Sequence, residues 1–385
     1  MRVVIFSHYG IGGSLKYLQG VADAFTKIDY PVEFYLPYEA KGKIPLLLNS
    51  RFILKEPSIS NMSSRIRYLK FLHHLLKYLY NNLIFNPPSD CRVVHLLFPF
   101  YMTDLILIKR LHRRGISVII TLHEVLAHRG FLGNRIDRLL ISNLCRNADL
   151  ILAHTKGLKS EMETLLSIKG DKIRVVPHGF FELPRSRKKR EVIGEMYNLP
   201  PDKKILLFFG EIRENKGLDD LLKAVSRLSN DYYLLIAGTV TGSKEPPLDY
   251  YKDLMRRLAI EDRVSWINRF INEEEIPDIF EVSDAVILPY KRSFHAQSGV
   301  LNLAVGFERP CIVTDVGGIG EVVKRHNIGV VVKPDDPECI KNGIVSVFAH
   351  REGFDFGGYK QENSWVSWVE KMIKIYDELL GRYQI

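Results

Sequence analysis

The stretch ILLFFGEIRENKGLDDLLKAV (205–225) reads as one parallel α/β unit, with an apolar run, a short loop and a helical pattern in that order. The run ILLFFG predicts a strand buried on both faces, since such strands are continuously hydrophobic. The loop carries Arg213 and Lys216, and the helix is expected to begin at Gly217. Two cations beside a helix N-terminus can neutralise a diphosphate group without a metal ion. On its own, however, a Lys-Gly helix start is more typical of a solvated surface.

The same alternation of short apolar runs and helical patterns extends from this stretch over the whole chain. The predicted strands lie at 3–6, 32–36, 93–97, 117–122 and 150–154 in the front half, and at 205–210, 232–238, 264–267, 285–290, 311–315 and 329–332 in the back half. Two doubly wound parallel α/β sheets in series are the simplest topology for this pattern. A length of 385 residues also fits two domains of ordinary size.

The boundary between the two domains is predicted from a segment rich in Pro, Gly and basic residues near 178–200. We expect one domain over 1–180 and a second over 181–362. The remaining residues, 363–385, are expected to form a helix that packs back on the N-terminal domain.

The composition is that of a globular protein, with 46% hydrophobic and 26% charged residues. No apolar run reaches the ~18 residues that span a bilayer, and the opening MRVVIF is too short for a signal peptide. Four scattered cysteines without CxxC spacing argue against a disulfide framework and a zinc cluster. We therefore expect a cytoplasmic protein without a metal site.

The positive charge is concentrated in the front half of the chain. Residues 1–190 contain 30 basic and 14 acidic side chains, whereas the rest contains 24 basic and 31 acidic ones. The front half is therefore expected to face an anionic partner. Nucleic acid, anionic lipid and a phosphorylated substrate all fit this charge.

One basic segment stands apart, since no acidic residue occurs between Pro57 and Ser89. Within it, RIRYLKFLHHLLKYLY (65–80) predicts an apolar helix that carries Arg65, Arg67, Lys70 and Lys77. Two interpretations are open: a surface helix packed on the sheet, or a helix lying on the anionic inner face of a membrane. Nucleic acid is disfavoured as a partner, because no recognised binding motif accompanies the helix.

A glycine-rich turn, HYGIGGSLKYLQGVADAF (8–25), follows the first predicted strand. Gly12 and Gly13 allow a ligand to approach the backbone closely at a helix N-terminus. A dinucleotide-binding fingerprint would require a third glycine where Leu15 stands, so the pattern is weak evidence for NAD. A phosphate-binding loop and a structural turn both remain open.

Seven segments in order give a more specific signal than any of these features alone. They are GIGGS (10–14), TLHE (121–124), VVPHG (175–179), FFGEIRENKGLDDLL (208–222), LLIAG (234–238), VSWINRFINEEEIPDIFEVSDAVILPY (264–290) and SGVLNLAVGFERPCIVTDVGGIGEVV (298–323). In these segments the chain resembles the retaining glycosyltransferases of family 4. Members of that family have the GT-B fold, in which two Rossmann-like domains face a cleft.

The resemblance implies that the front domain binds the acceptor and the back domain binds a nucleotide sugar. It implies that Arg213 and Lys216 contact the donor diphosphate and that His123 lies beside the transferred sugar, with Glu124 on the acceptor side. The remaining donor contacts that it implies come from Gly12, Gly13, Asn268, Arg269 and Phe270. A histidine at a strand end is equally typical of a structural role, so both interpretations of His123 are kept.

One segment departs from the family pattern. The family usually has two glutamates separated by seven residues before a Gly-x-Pro turn, but His295 and Leu303 stand at those positions here, and Glu308 replaces the glycine. The segment is a variant with Gln-Ser-Gly-Val, from which donor contacts are expected at His295, Gln297, Ser298, Gly299 and Val300. Ser298 is predicted to cap a helix whose first amides bind phosphate or sugar hydroxyls. Leu303 leaves the identity of the nucleotide open.

The expected activity is transfer of a hexose from a nucleotide sugar to a glycan or lipid-linked acceptor, with retention and without a metal ion or other cofactor. No Asp-x-Asp metal-binding signature occurs in the sequence. The resemblance also implies that the leaving phosphate deprotonates the acceptor hydroxyl. An epimerase or phosphorylase on the same fold, and a catalytically degenerate sugar-nucleotide-binding subunit, are the alternatives.

Overall fold

The computed structural model describes residues 2–10, 12–44, 49–54, 67–125, 134–180, 184–240, 245–294, 298–349 and 353–381. The chain divides into two compact units. Unit 1 contains Met1–Gly179 together with Asn363–Ile385, and unit 2 contains Phe180–Glu362.

Unit 1 is built on a seven-stranded sheet in the order β3-β2-β1-β4-β5-β6-β7, with every pairing parallel. The strands are β1 (Arg2–Ser7), β2 (Val32–Pro37), β3 (Asn49–Leu54), β4 (Cys91–Phe98), β5 (Ser117–Thr121), β6 (Leu150–Ala153) and β7 (Ile173–Val175). The strand order reverses between β1 and β4, and ligands of open α/β sheets bind at the carboxyl ends of strands at such a point.

Two helical layers cover this sheet. The helices are α1 (Gly12–Ile28), α2 (Arg67–Ile84), α3 (Asp104–His112), α4 (Asn134–Asn147), α5 (Lys156–Leu166) and α14 (Trp365–Gly381). One core joins α1 and α14 to the sheet, and a second core joins α3, α4 and α5 to its other face. Helix α2 contacts α3 and belongs to the second layer through Ile84.

The C-terminal helix α14 is an integral part of unit 1. Its buried residues include Trp368, Met372 and Tyr376, and the Tyr376 hydroxyl lies 2.7 Å from Nδ1 of His95 on β4. The Trp365 ring occupies the space left by two glycines. A Cβ atom added at Gly20 or at Gly179 would lie 2.1 or 2.2 Å from that ring.

Unit 2 is built on a six-stranded parallel sheet in the order β10-β9-β8-β11-β12-β13. The strands are β8 (Lys204–Phe209), β9 (Tyr232–Ala237), β10 (Val264–Ile267), β11 (Ala285–Leu288), β12 (Cys311–Thr314) and β13 (Gly329–Val332). Its helices are α6 (Arg190–Met196), α7 (Leu218–Val225), α8 (Leu248–Arg257), α9 (Ile276–Val282), α10 (Gly299–Gly306), α11 (Ile319–His326), α12 (Pro337–Ala349) and α13 (Phe356–Glu362). Hydrophobic cores lie on both faces of the sheet.

The predicted fold class, two doubly wound parallel α/β sheets, is confirmed by these topologies. Strands β3 and β7 were absent from the sequence prediction. Both are edge strands of the unit 1 sheet, and edge strands lack the long apolar run that is typical of a strand buried on both faces. In addition, β7 has only three residues. In the part of the chain that the model describes, no helix is both long enough and apolar enough to cross a membrane.

Candidate active site

The charged residues predicted from the 205–225 stretch lie at the carboxyl edge of the unit 2 sheet. Strands β8 and β11 are neighbours there, and the strand order reverses between them. Arg213 and Lys216 follow β8, and Tyr290 follows β11. This edge is where an open α/β sheet binds its ligand.

Gly217 fixes the loop between β8 and α7 against the end of β11. Its φ of 69° lies in the left-handed region, and a Cβ atom there would lie 1.9 Å from the carbonyl oxygen of Pro289. The amide of Lys291 also donates a hydrogen bond to the carbonyl of Asn215, at 3.0 Å. Only glycine permits this close approach, which brings the Lys216 side chain to the residues that follow β11.

Lys216 lies on an aromatic surface. Its Nζ atom is 3.8 Å from the ring centre of Tyr290 and 4.3 Å from that of Phe294, within the range of cation–π contact. Burial, together with the weaker effect of the positive charge of Arg213, lowers the pKa of Lys216 to about 7. A bound anion would raise this pKa again and would restore the full charge of the ammonium group.

Arg213 stands immediately before the 3-10 turn Glu214–Lys216. Its side chain is 23% exposed, and Nε lies 3.7 Å from a carboxylate oxygen of Glu211. Nε is buried and has no hydrogen-bond acceptor among the described residues. Buried N–H donors are normally satisfied, so this donor is suited to an anionic ligand.

The N-terminus of α10 adjoins this pair of cations. Val300 lies against Gly210 at the end of β8, since a Cβ atom added at Gly210 would lie 3.7 Å from its Cγ2. Ser298 occupies the N-cap position, but its side chain makes no capping hydrogen bond. The predicted N-cap position of Ser298 is thus confirmed, while its hydroxyl lies 2.9 Å from the Tyr290 hydroxyl. Tyr290 thus connects Ser298 with Lys216.

Donor contacts were also predicted for Gly299, His295 and Gln297, which lie on the same segment as Ser298. Gly299 is exposed at the first position of α10, where its amide points out of the helix N-terminus. His295 and Gln297 lie outside the described residues, so the predictions made for them stay predictions.

The segment Asn268–Arg269–Phe270 forms an exposed loop after β10. Arg269 donates hydrogen bonds to both carboxylate oxygens of Glu275, at 2.8 and 2.5 Å, so its charge is paired within the loop. The Phe270 side chain is 78% exposed. Of these three residues, Phe270 is best placed to stack on a planar base.

The departures from the family pattern have structural reasons. Leu303 is buried in the core that covers one face of the sheet, so it presents no polar group to a ribose. Glu308 has a φ of 55°, the left-handed region that favours glycine. Its carboxylate accepts a hydrogen bond from Lys360 at 2.6 Å and lies 3.5 Å from Arg185. Glu308 therefore holds two ion-pair contacts at a position where the family has glycine.

In unit 1, α1 begins at Gly12. A Cβ atom added at Gly13 would meet no atom within 4 Å, so the space beside this exposed residue is open. The backbone can therefore be approached there, and the donor contacts predicted for both glycines stay predictions.

His123 follows β5 in unit 1 and is held by its neighbours. Its Nε2 lies 3.1 Å from the carbonyl oxygen of Leu97, and its ring stacks on Phe98 with centres 4.4 Å apart. Burial, followed by the charges of His154 and His178, lowers the pKa of His123 well below its usual value. The imidazole is therefore neutral, with its proton on Nε2 facing the carbonyl and Nδ1 left as the acceptor nitrogen.

A cavity of about 300 Å³ lies beside His123 at the carboxyl edge of the unit 1 sheet. Its lining includes Tyr9, Phe98, Phe100, Tyr101, His123 and Glu124. None of the described residues that line it is Lys or Arg. The cavity is thus aromatic and carries a carboxylate, which suits a neutral polar ligand such as a sugar.

Sequence reasoning missed the aromatic side chains of both sites. In unit 1 these residues belong to the run FPFY (98–101), which begins at the last residue of β4. In unit 2 they are Tyr290 and Phe294, in the loop that follows β11. Aromatic residues placed immediately after a buried strand were the available signal. Among the described residues, no cluster of three or more His, Cys, Asp or Glu side chains could hold a metal ion.

Comparison with known proteins agrees with this architecture. Residues 11–180 match the model of the Glycosyltransferase Family 4 domain, and residues 189–354 match that of Glycosyl transferases group 1. The two matches together cover most of the chain, one on each side of the division between the units. The chain therefore belongs to the glycosyltransferases of the family 4, GT-B type.

Individual relatives are distant. An uncharacterized glycosyltransferase of Methanocaldococcus jannaschii is 25% identical over 60% of this chain and 61% of its own length. A lipopolysaccharide core biosynthesis mannosyltransferase of Rhizobium meliloti is 25% identical over 68% of this chain and 70% of its own. The chain spans between 48% and 61% of the length of the first three curated relatives that it matches.

Among solved structures, the Anabaena protein HepE in complex with UDP superposes with a TM-score of 0.74. The two chains are 14% identical, and the match covers 98% of this chain and all of HepE. At that identity the likeness concerns the fold alone.

Proposed function

We propose that the chain transfers a hexose from a nucleoside diphosphate sugar to a hydroxyl of a glycan or lipid-linked acceptor, in the synthesis of a cell-surface polysaccharide or glycoconjugate. The transfer proceeds with retention at the anomeric carbon and without a metal ion. The observation that carries the proposal is the pair Arg213 and Lys216 at the carboxyl edge of the unit 2 sheet. Burial leaves the ammonium charge of Lys216 poorly solvated, and the Nε donor of Arg213 is buried without an acceptor among the described residues.

The two cations supply what a departing nucleoside diphosphate requires. Arg213 offers a buried N–H donor that has no acceptor among the described residues, and Lys216 regains its full charge when an anion binds. The exposed N-terminus of α10 adds backbone amides directed towards the same edge. Because these groups are held in place before the reaction, they stabilise the developing charge without reorganisation.

The comparisons support the choice of substrates. The structures of HepE are described as complexes with UDP and with UDP-glucose, and the Rhizobium relative is named for lipopolysaccharide core synthesis. For this chain we infer a nucleoside diphosphate sugar as donor and leave the base open, since Leu303 removes the usual contact to the ribose.

On the acceptor side, we assign the aromatic cavity of unit 1 to a sugar. Phe98, Phe100 and Tyr101 offer apolar ring faces, and Glu124 offers a hydrogen-bond acceptor for hydroxyl groups. His123 is neutral in its buried position and presents Nδ1 as an acceptor. The acceptor hydroxyl passes its proton to the leaving phosphate, and no covalent intermediate with the protein is invoked.

The proposal is tested with Arg213→Ala, Lys216→Ala and the matched control Lys252→Ala, an exposed lysine on α8. Release of nucleoside diphosphate from UDP-, GDP-, ADP- and TDP-sugars is measured with a mixed glycan acceptor. Each site variant is expected to lower turnover by about 10²- to 10³-fold, and the control to leave it unchanged. Unchanged turnover in both site variants would remove the assignment of the phosphate site.

A second candidate function is a binding subunit that has lost catalysis, which the buried Leu303 favours. The two candidates differ in one measurement. A binding subunit is stabilised by a sugar nucleotide in a thermal-shift assay, by ~2.7 kcal/mol at 100 times the dissociation constant, yet releases no nucleoside diphosphate. Product analysis separates transfer from an epimerase or a phosphorylase, because these yield an isomerised donor or a sugar phosphate.

A further inference from the structure

Helix α2 of unit 1 has an apolar stripe on its outer side. Leu72, Leu76, Tyr80 and Leu83 are all exposed, and their spacing of three and four residues places them along one face of the helix. Leu83 is 73% exposed. The opposite side of the helix is buried, with Tyr78 stacked on Phe100 at 3.8 Å between ring centres.

The stripe continues onto the two neighbouring helices of the same layer. Helix α3 contacts both α2 and α4, and it exposes Ile106. Helix α4 exposes Ile136 and Leu139, the latter at 69%. These three helices hold seven of the 13 exposed large hydrophobic side chains found in the described part of the chain. We call the outer side of α2, α3 and α4 the basic helical face.

The charges of this face all have one sign. Its exposed or half-exposed charged side chains in the described residues are Lys77, Lys109, Arg110, Arg135, Arg138 and Arg146. The three helices contain only two acidic residues, Asp104 and Asp137, and both are buried. Asp104 binds His8 and the amide of Phe100, and Asp137 accepts a hydrogen bond from Tyr101. Both carboxylates are therefore used inside the unit and do not neutralise the face.

We propose that the basic helical face docks unit 1 on the surface of an anionic lipid bilayer. Leucine and isoleucine side chains enter the acyl region, while lysine and arginine meet the phosphate headgroups. Two copies of this face repel one another because both are positive, and nucleic acid offers no layer into which leucines insert. The inference extends the membrane interpretation of residues 65–80 to three helices, and it stands whether or not the chain transfers a sugar.

The first test is co-sedimentation of the intact protein with vesicles of phosphatidylcholine, alone or with one third phosphatidylglycerol. The protein is expected to sediment with the anionic vesicles and to remain in the supernatant with phosphatidylcholine alone. Raising the salt concentration weakens the binding, because the headgroup attraction is screened within about 8 Å at physiological ionic strength. Failure to bind the anionic vesicles at low salt overturns the proposal.

The second test uses paired substitutions of exposed residues. Leu76→Gln with Leu83→Gln removes part of the stripe, and Arg135→Gln with Arg138→Gln removes two charges. Each pair is expected to weaken binding to the anionic vesicles by about tenfold or more. Two matched pairs on unit 2, Val192→Gln with Met196→Gln and Lys252→Gln with Arg257→Gln, are expected to stay within about twofold of the unchanged protein.

Three results would contradict the proposal in this second test. If all four paired variants bind the anionic vesicles equally well, the lipid contact lies elsewhere on the protein. Loss of binding in the unit 2 pairs alone assigns it to the other unit. A dimer in sedimentation velocity that both unit 1 pairs abolish, without vesicles present, makes the face a contact between copies. Thermal unfolding of each variant verifies that it is folded, since all eight positions are at least partly exposed.

Discussion

At the scale of single residues, the protonation of Lys216 controls the charge of the candidate phosphate site. The unfolded chain holds this proton up to about pH 10.5, whereas the folded protein loses it near pH 7. Stability is therefore lowered by the buried charge below pH 7, and this loss is relieved as the pH rises from 7 to 10.5. The ligand has the opposite preference, because a diphosphate binds best when the lysine is charged.

From this opposition we predict a pH-dependent affinity for the donor. Binding of an intact nucleoside diphosphate sugar should weaken between pH 7 and pH 9, by up to about tenfold per pH unit, because the ligand must restore a proton. In Lys216→Arg the dependence should vanish, since arginine stays charged. Isothermal titration calorimetry in buffers of different ionisation enthalpy measures both the affinity and the proton uptake. An affinity that is flat with pH in the unchanged protein would contradict the burial of this lysine.

Glu308 is a second residue whose behaviour follows from its backbone. A non-glycine residue in the left-handed region costs roughly 1–2 kcal/mol, and here its carboxylate pairs with Lys360 and Arg185. We predict that Glu308→Gly is more stable than Glu308→Ala by about 1 kcal/mol. Both variants lose the carboxylate, so their difference isolates the strain. Thermal unfolding measures it, and equal melting temperatures would show that the backbone relaxes in the alanine variant.

At the scale of helices and strands, the sequence predicted what depends on local pattern. Runs such as ILLFFG appear as buried strands because both faces of a parallel strand are covered. Arg213 and Lys216 could be placed at the sheet edge for the same reason, since they directly follow such a run. The aromatic support from Tyr290 and Phe294 could not be predicted in this way, because it depends on which two loops meet. Glu308 likewise shows its backbone strain only in three dimensions.

Helix α1 offers a matched pair of glycines that tests the packing of the C-terminal segment. Gly20 lies against the Trp365 ring, whereas Gly13 on the same helix has open space. Gly20→Ala should destabilise unit 1 by about 1–3 kcal/mol through overpacking. Gly13→Ala should be neutral or slightly stabilising, since alanine is favoured in a helix. Chemical denaturation of both variants measures the difference. A Gly20→Ala protein as stable as Gly13→Ala would mean that the Trp365 ring moves aside freely.

At the scale of the whole molecule, unit 1 is assembled from both ends of the chain. Trp368, Met372 and Tyr376 complete a core to which β1, β4 and α1 also contribute, together with β2, β5 and β6. We predict that a chain ending at Glu362 loses hydrogen-exchange protection throughout β1 and β4, while β8 and β9 keep theirs. Peptide-level exchange by mass spectrometry measures both sets of amides at once. Full protection of β1 in the shortened chain would show that α14 is dispensable for the fold.

The contact of the Trp365 ring with Gly20 and Gly179 also has a consequence for folding during synthesis, because unit 1 cannot complete this contact until Trp365 has been made. Residues 1–179 are synthesised before Trp365, so one face of the unit 1 sheet is covered only in part, by α1, until unit 2 has been made. Unit 2 is in effect an insertion within unit 1. Mutations that slow its folding should therefore prolong the exposure of apolar surface elsewhere in the polypeptide, and raise its dependence on chaperones.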